Sequence, residues 1–324
     1  MRYIKFEKVV RKVESLCIAA CYELPEDVLH ALEEAAETES NPAAVKILRK
    51  LVENARQAAA EKIPLCQDTG LAVVFVEQGC EVAIRSVARR SSLVASGQRI
   101  ADSVYAKRST LTANLFDAIN VGVAAGYEKG YLRKSVVGDP LNERRNTGSN
   151  TPAIIHHTIV PGDRLKITVM AKGGGCENKS AFKMFKPTAE RSEIIDWVVG
   201  VVSQAGADAC PPFVVGVGIG GDFELCCLLS KKALLRDLSA KRTADLGHPA
   251  PETVQDQKNS GEFYSKLEVD LLSRINALGL GPQGLGGDTT ALACLVETAP
   301  CHIASLPAAV NIECHSHRHK TAII

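Results

Sequence analysis

Apolar residues recur at helical spacing through the N-terminal part of the chain. Five of them have a neighbour in the set three or four positions away, which places them on one helical face: Val45, Leu48, Leu51, Val52 and Ala55. Pro42 stands at an expected first helical position behind the capping residue Asn41, and this helix is predicted to end near Lys62. The N-terminal region is therefore predicted to be helical.

Beyond residue 70 the pattern changes to short apolar runs bounded by turn residues. Leu71–Val76 is a continuous apolar run of the kind found in buried strands. Residues 153–160 and 164–171 are predicted as two strands around the turn at 161–163, and another apolar strand follows Cys210.

Helical segments separate these strands. Residues 100–130 have a helical pattern, a helix capped by Ser192 should run to about Gln204, and a further helix should cover 262–278. The resulting fold class is α/β (mixed α+β), with a helical N-terminal region and mixed sheets flanked by helices. We expect one domain over residues 1–324, with two lobes meeting near residue 186.

Composition and charge narrow the classes of function. The chain is 46% hydrophobic and 23% charged, which is usual for a globular protein. A formal net charge of +1 without a basic stripe argues against nucleic acid as a partner. No apolar run is long enough to span a membrane, and residues 1–7 lack the apolar core of a signal peptide. A cytoplasmic location is the expectation.

Eleven cysteines in such a chain suggest either thiolate ligands or buried apolar thiols. Cys226 and Cys227 lie in an apolar run, and Cys17 and Cys21 lie on an apolar helical face, so these four are interpreted as packing residues. No Cys-x-x-Cys pair is present, which argues against a zinc ribbon or a ferredoxin-type cluster. Spacing alone does not assign ligand roles to the other cysteines.

Glycine and histidine patterns leave further alternatives. Gly216–Gly221 and Gly279–Gly284 both match Gly-x-Gly-x-x-Gly, but neither has the strand, helix and acidic residue of a dinucleotide site. We expect these glycines to let the backbone approach a cofactor or substrate closely. Gly173–Gly175 would offer amides to carboxylates, or would form a hairpin turn. The alternating tail His315, His317, His319 would be either a surface metal site on one side of a strand or a solvated tail.

Six ordered motifs resemble the class I, iron–sulfur fumarate hydratases and L-tartrate dehydratases, over nearly the whole chain. The match is to the α subunit of the two-subunit form, equivalent to the N-terminal part of the one-chain form. The motifs are Pro64-Leu-Cys-Gln-Asp-Thr-Gly70, Asn146-Thr-Gly-Ser-Asn-Thr-Pro152, Ala171-Lys-Gly-Gly-Gly-Cys-Glu-Asn-Lys179, Ala209-Cys-Pro-Pro212, Gly279-Leu-Gly-Pro-Gln-Gly-Leu-Gly-Gly287 and His302-Ile-Ala-Ser305.

The resemblance implies a [4Fe-4S] cluster held by three cysteines, with one iron left open for substrate. By motif the ligands fall on Cys66, Cys210 and Cys314, while Cys294 and Cys301 lie near enough in sequence to be alternatives for the third. The sheets and helices would then surround this cluster site. The open iron would act as a Lewis acid on the hydroxyl group that leaves as water.

The resemblance also implies catalytic and substrate-binding residues. Asp68 and His302 carry over as catalytic residues, and Gln67, Arg133 and Gly175 as substrate-binding residues. Asp68 would transfer a proton or orient the group that does, or would only shape an Asx turn. Arg133 would clamp the far carboxylate of a small dicarboxylate. The family's remaining arginines and a catalytic lysine belong to the β portion, so a β subunit is expected as partner, in an α2β2 assembly.

The substrate stays open between two alternatives of one chemistry. Glu177-Asn-Lys179 resembles the fumarate hydratase version of the glycine loop, which favours the dehydration of (S)-malate to fumarate. L-tartrate or a methylated dicarboxylate is the alternative. A non-catalytic iron–sulfur sensor or zinc-binding module is a further possibility from another class, but a sensor needs no substrate clamp such as Arg133.

Overall fold

Two compact units make up the chain, and neither of them is one continuous segment. The computed structural model describes residues 1–85, 114–238 and 254–324, with the backbone alone for 254–260. The first unit contains residues 1–24, 55–174 and 318–324, and the second contains 25–54 and 175–317. Residue 186, where the sequence favours a boundary between lobes, lies inside the second unit.

The described residues form a series of helices and strands, and the first three long helices follow one another before the strand at Leu71. The helices are α1 Phe6–Tyr22, α2 Glu26–Thr38, α3 Pro42–Glu61, α4 Leu115–Lys129, α5 Gly174–Glu177, α6 Arg191–Ala205, α7 Phe223–Ala233 and α8 Val254–Asn276. The strands are β1 Arg2–Lys5, β2 Leu71–Gly79, β3 Val82–Arg85, β4 Ile154–Val160, β5 Leu165–Lys172, β6 Ala181–Phe185, β7 Phe213–Gly220, β8 Ala291–Ala299, β9 Leu306–Glu313 and β10 His319–Ile323. The predicted mixed α/β class and helical N-terminal region are confirmed.

The core of the first unit lies between a four-stranded sheet and two helices. The strand order is β10-β5-β2-β4, with β2 parallel to β4 and antiparallel to β5. Residues 72–76 of β2 are all buried, as the continuous apolar run predicts. Helices α1 and α4 contribute buried side chains such as Val13 and Ile119 to the same core. Strands β4 and β5, predicted on either side of a turn, are therefore not paired with each other, because β2 lies between them.

The second unit contains a sheet of the same design. Its order is β6-β9-β7-β8, with β7 parallel to β8 and antiparallel to β9. Helices α6 and α8 pack their apolar faces on this sheet, with Val198 and Leu271 almost fully buried. Helix α6 begins at Arg191 behind a capping box of Glu190 and Glu193, so the predicted cap at Ser192 is wrong by two positions.

The two sheets repeat one topology although the sequence shows no internal repeat. In each sheet the first strand (β2 or β7) is connected through helical structure to a parallel neighbour (β4 or β8). The next strand (β5 or β9) then pairs antiparallel with the first strand on its other side. The fourth strands are exchanged in chain order: β6 follows β5 but joins the sheet of β9, and β10 follows β9 but joins the sheet of β5. The edge strand of each four-stranded sheet is thus the segment that follows, in the sequence, a strand of the other four-stranded sheet.

None of the helices in the described part of the chain combines the length and the apolar character that a membrane-spanning helix requires.

A buried carboxylate fixes the entry to β8 in the second unit. Glu39, at the C-terminus of α2, accepts backbone N–H bonds from Asp288 (2.8 and 3.0 Å) and Thr289 (2.9 Å), and from Asn41 (3.1 Å). The Glu39 side chain is buried, so removing it leaves these donors without an equivalent acceptor.

We expect Glu39→Ala to lower the free energy of unfolding by about 2–4 kcal/mol, because each buried donor left unsatisfied costs about 1–3 kcal/mol. Denaturant titration of the full chain measures the change. Glu37→Ala, on an exposed position of the same helix, is the matched control and should stay within about 0.5 kcal/mol of wild type. Equal effects of the two substitutions would contradict this account.

Candidate active site

The turn that carries Cys66 is anchored from several sides within the first unit. Leu65 N donates to Cys21 O in α1 (2.9 Å), and the Tyr127 hydroxyl of α4 donates to Thr69 O (2.9 Å) and Gly70 O (3.1 Å). Gly70 has a φ of +67°, and a Cβ there would lie 2.3 Å from Lys172 O, so this position requires glycine. The turn is therefore rigid, while the Cys66 thiol stays partly exposed.

Asp68 links this turn to the glycine loop. Its Oδ1 accepts from Gly70 N (2.9 Å), which is the Asx turn that the sequence offers as one alternative. Its Oδ2 accepts from Gly174 N (2.9 Å) at the start of α5. Both carboxylate oxygens are thus oriented by backbone amides. The loop Gly173–Gly175 is not a hairpin turn, since β5 and β6 join different sheets.

Arg318 is a residue of the candidate site that sequence reasoning missed. Its guanidinium is almost fully buried and its Nη1 donates to Asp68 O (2.8 Å), so a positive charge lies behind the Cys66 turn. That charge opposes the rise in the Cys21 pKa, but burial dominates and raises the pKa to about 11. Cys21 is therefore a protonated packing residue, as predicted. The only sequence signal for Arg318 was its place within the histidine-rich tail.

The histidine-rich tail is neither solvated nor a regular strand. Ser316 and His317 are buried, and only His319 belongs to a strand, β10. Cys314 to Arg318 instead form an irregular buried segment. Both sequence alternatives for the tail, a surface metal site and a solvated extension, are wrong for this reason.

The predicted substrate-binding residues of the first unit flank the same turn. Gln67 is exposed, and its Oε1 accepts from the Cys66 thiol (3.3 Å). The Arg133 carbonyl accepts from the Thr69 hydroxyl (3.0 Å), while its side chain is exposed. Cys66, Gln67, Asp68 and Arg133 thus lie together at the end of the sheet where β2 begins. Gln67 and Arg133 are exposed there, and Cys66 and Asp68 are partly exposed.

Cys210 occupies a comparable turn in the second unit, directly before β7. It has a φ of +56°, and its carbonyl accepts from His315 N (3.3 Å). Gln283 secures the next residue by donating from both its backbone N (2.8 Å) and its Nε2 (2.9 Å) to Pro211 O. Cys210 is partly exposed, and the segment that follows Cys314 is hydrogen-bonded to it directly.

The glycines of the two Gly-x-Gly-x-x-Gly matches serve packing within the chain. A Cβ on Gly216 would lie 2.1 Å from Ser230 O, and one on Gly218 would lie 2.0 Å from Cys226 O, so these glycines let α7 approach β7. In the second match, a Cβ on Gly284 would lie 2.4 Å from the Cβ of Ala207. The expected close approach is therefore to the chain's own backbone and side chains.

Cys314, rather than Cys294 or Cys301, accompanies Cys210. Cys314 is buried immediately after β9, at the end of the sheet where Cys210 lies. Cys294 is inside the apolar core on β8, where burial raises the pKa of its thiol and disfavours the thiolate that a metal needs. Cys301 is exposed in the β8–β9 loop at the other end. The donor set at the Cys210 end suits a thiolate-bound group.

Gly175 and His302 are placed very differently in the second unit. Gly175 is exposed, and a Cβ on it would lie 3.7 Å from Asp208 O, two residues before Cys210. His302 is exposed beyond the opposite ends of β8 and β9. The eight residues of β9 span roughly 26 Å at the usual rise per residue. His302 is therefore not brought together with Cys210 and Cys314 in its own chain.

Sequence comparison identifies a matching protein family and several similar proteins. The profile of the family described as Fumarate hydratase (Fumerase) matches residues 10–105 and 103–323. The chain is 36% identical over 310 residues to the putative L(+)-tartrate dehydratase subunit alpha of Methanocaldococcus jannaschii, covering 94% of this chain and 93% of that protein. It is 28% identical over 303 residues to the L(+)-tartrate dehydratase subunit alpha of Escherichia coli O157:H7, covering 93% and 86%.

Proposed function

Because this chain belongs to the fumarate hydratase (Fumerase) family of hydro-lyases, we propose that it is the α subunit of an iron–sulfur hydro-lyase that dehydrates L-tartrate. The structural observation that carries the proposal is the pairing of a Cys210 turn with the Cys314 segment through the His315 N to Cys210 O bond. A second turn of the same kind, with Cys66 and Asp68, is built in the first unit.

Cys66, Cys210 and Cys314 are the proposed ligands of a [4Fe-4S] cluster. Two of these thiols are partly exposed and lie in turns fixed by backbone hydrogen bonds, whereas Cys17, Cys21, Cys226 and Cys294 are buried and their pKa values are raised by burial. When bound, such a cluster supplies one iron without a protein thiolate, which serves as the Lewis acid for the departing hydroxyl.

Residues of this chain would bind and orient the dicarboxylate. The exposed Arg133 guanidinium can clamp one carboxylate with two parallel hydrogen bonds, and the backbone N–H of the exposed Gly175 can donate to another. Gln67 and Gly175 are proposed as further contacts. Asp68, held through both oxygens, either takes the proton from the substrate carbon or positions the group that does.

Tartrate is preferred over malate as the proposed substrate for two reasons. The relatives reported above are tartrate dehydratase α subunits. In addition, the residues that favoured malate in the sequence have structural partners: Glu177 binds Lys231 (2.6 Å) and Asn311 (3.0 Å), and Lys179 binds Asp208 (3.3 Å). Such contacts explain the Glu177-Asn-Lys179 motif without reference to the substrate.

The proposed assembly contains a β subunit, and its stoichiometry is α2β2. The relatives are named as α subunits, which implies a separate partner chain. His302 fits this assembly in a specific way. His302 and Cys210 lie at opposite ends of the sheet that contains β8 and β9. A substrate held near Cys210 would therefore be contacted by His302 from a second copy of the chain.

We expect the anaerobically co-purified α and β chains to turn over L-tartrate with a kcat/KM at least about tenfold above that for (S)-malate, since one added hydroxyl bound by a matching polar site is worth more than about 1.4 kcal/mol. Oxaloacetate formation from tartrate and fumarate formation from malate measure the two rates. The α chain by itself is the control and should be inactive on both. A preference for malate would replace tartrate as substrate, whereas no turnover of any 2-hydroxy dicarboxylate would leave only the sensor or zinc-module alternative.

A further inference from the structure

Three buried side chains of the second unit bring soft and hard metal-binding atoms together. The two Sγ atoms of Cys176 and Cys314 and a carboxylate oxygen of Glu313 all lie within 4.8 Å of one another. Their residues are 5%, 7% and 0% exposed, so solvent is largely excluded from the group. Neither Cys176 nor Glu313 has a role in the hydro-lyase proposal.

The fold explains why these three meet. Glu313 ends β9 and Cys314 follows it, where the chain leaves the extended conformation. The side chains of consecutive residues point to opposite faces within a strand, but this restriction ends with the strand. Cys176 lies on α5, and its thiol donates to Ala209 O at 3.6 Å, next to Cys210. The three donors therefore come from two segments, and a third segment, at Ala209, fixes the Cys176 thiol.

We propose that the chain without its cluster binds one thiophilic divalent cation, with Zn²⁺ as the reference ion, through Cys176, Glu313 and Cys314. Two thiolates and one carboxylate suit Zn²⁺, and a water molecule completes four coordinate positions. Tetrahedral zinc at its usual bond lengths separates its ligand atoms by roughly 3.5–3.8 Å. The donors need to close by little more than about 1 Å.

Charge supports a cation at this position. Zn²⁺ binding replaces two thiol protons, so that Zn²⁺ and two thiols give a zinc dithiolate and two protons released to solvent. Burying two thiolates and a carboxylate is tolerated when a metal ion compensates their charge.

The single-ion site shares Cys314 with the proposed cluster, so the two occupants exclude each other. The inference does not depend on the hydro-lyase proposal, because it rests only on the positions and burial of these three donors. Zinc bound here would block cluster assembly. The two proposals can fail independently. Absence of zinc binding says nothing about tartrate turnover by the αβ complex that contains its cluster, and absence of tartrate turnover says nothing about zinc binding.

The test is a zinc titration of the full chain, purified without iron and kept reduced, against a chromogenic chelator. We expect one Zn²⁺ per chain, and Co²⁺ in its place should show the absorption of a tetrahedral dithiolate site. Cys176→Ser and Glu313→Gln should each weaken Zn²⁺ binding by roughly 100-fold or more, because even outer-shell substitutions cost 10–100-fold. Cys294→Ser, equally buried, and Cys66→Ser should bind as wild type does.

Unchanged Zn²⁺ affinity in Cys176→Ser would overturn the proposal, as would loss of binding in Cys66→Ser. Circular dichroism and thermal melting identify variants that fail to fold, and Cys176→Ala provides a second substitution at that position. X-ray absorption of the zinc-loaded wild-type chain needs no variant. Two sulfur ligands near 2.3 Å are expected, and a shell made of nitrogen and oxygen alone contradicts the assignment.

Discussion

Replacing Cys210 with alanine should abolish stable cluster binding and lower kcat of the αβ complex by about 10³-fold or more. Loss of a Lewis acid removes several kcal/mol of stabilisation from the transition state, and each 1.36 kcal/mol is a factor of ten. Cys314→Ala should do the same. Iron and acid-labile sulfide analysis, together with the visible absorption of the anaerobic protein, measures cluster content independently of activity.

Cys301→Ala and Cys294→Ala are the matched controls, since one thiol is exposed beyond the far end of the sheet and the other is packed in the apolar core. Both should retain iron, sulfide and activity. The Cys176 thiol lies within 4.8 Å of the Cys314 thiol and could take its place as a ligand in Cys314→Ala. The double variant Cys314→Ala with Cys176→Ala excludes this replacement. A cluster retained in Cys210→Ala but lost in Cys301→Ala would show that the ligands are assigned wrongly.

Asp68→Asn should lower kcat by about 10²–10⁴-fold, the usual range for a proton-transfer group, while the cluster spectrum is retained. Both Asp68 oxygens accept backbone hydrogen bonds, and asparagine replaces one of these oxygens with an NH2 group, so one of the two contacts becomes repulsive. Steady-state kinetics and the pH profile of kcat measure the effect. A proton-transfer role removes one limb of that profile, whereas a positioning role lowers the rate at every pH.

Asp163→Asn is the control for Asp68→Asn, because Asp163 is exposed in the β4–β5 turn at the other end of the first-unit sheet. It should leave kcat within about twofold of wild type. If Asp68→Asn stays within the same range, neither role for Asp68 can be kept.

Local patterns predicted local structure well. The helix from Pro42 was expected to end near Lys62 and ends at Glu61, and the strands expected at 153–160 and 164–171 lie at 154–160 and 165–172. Helical structure expected at 100–130 is present from Leu115, and the part before residue 114 lies outside the described residues. These elements follow from hydrophobic period and from turn residues, which act over a few positions.

Long-range pairing was not accessible to the same reasoning. Nothing in the turn at 161–163 indicates that β2 lies between β4 and β5, because strand partners are decided by packing across the whole unit. Helix α7 was missed since its apolar run, Phe223–Leu229, has the length of a buried strand. Only the fold reveals that Gly216 and Gly218 make room for that helix.

For the site, motif resemblance supplied residues that spacing could not. Cys66, Cys210 and Cys314 are too far apart in sequence to be grouped by spacing, yet the structure places the Cys314 segment against Cys210. Arg318 was missed because its importance comes from burial behind the Cys66 turn. The companion of Cys314 was missed for the same reason, since Cys176 has no sequence signal apart from its glycine loop.

The exchange of edge strands constrains how the chain can fold during its synthesis on the ribosome. Strands β2, β4 and β5 have all been made once residue 172 is translated, but β10, which closes their sheet beside β5, is made only after the whole second unit. During that interval β5 presents open hydrogen-bonding groups to any other strand. The sheet of the first unit therefore cannot be completed until the second unit has been translated, and nascent chains on neighbouring ribosomes are exposed to mispairing at this edge until residues 319–323 emerge.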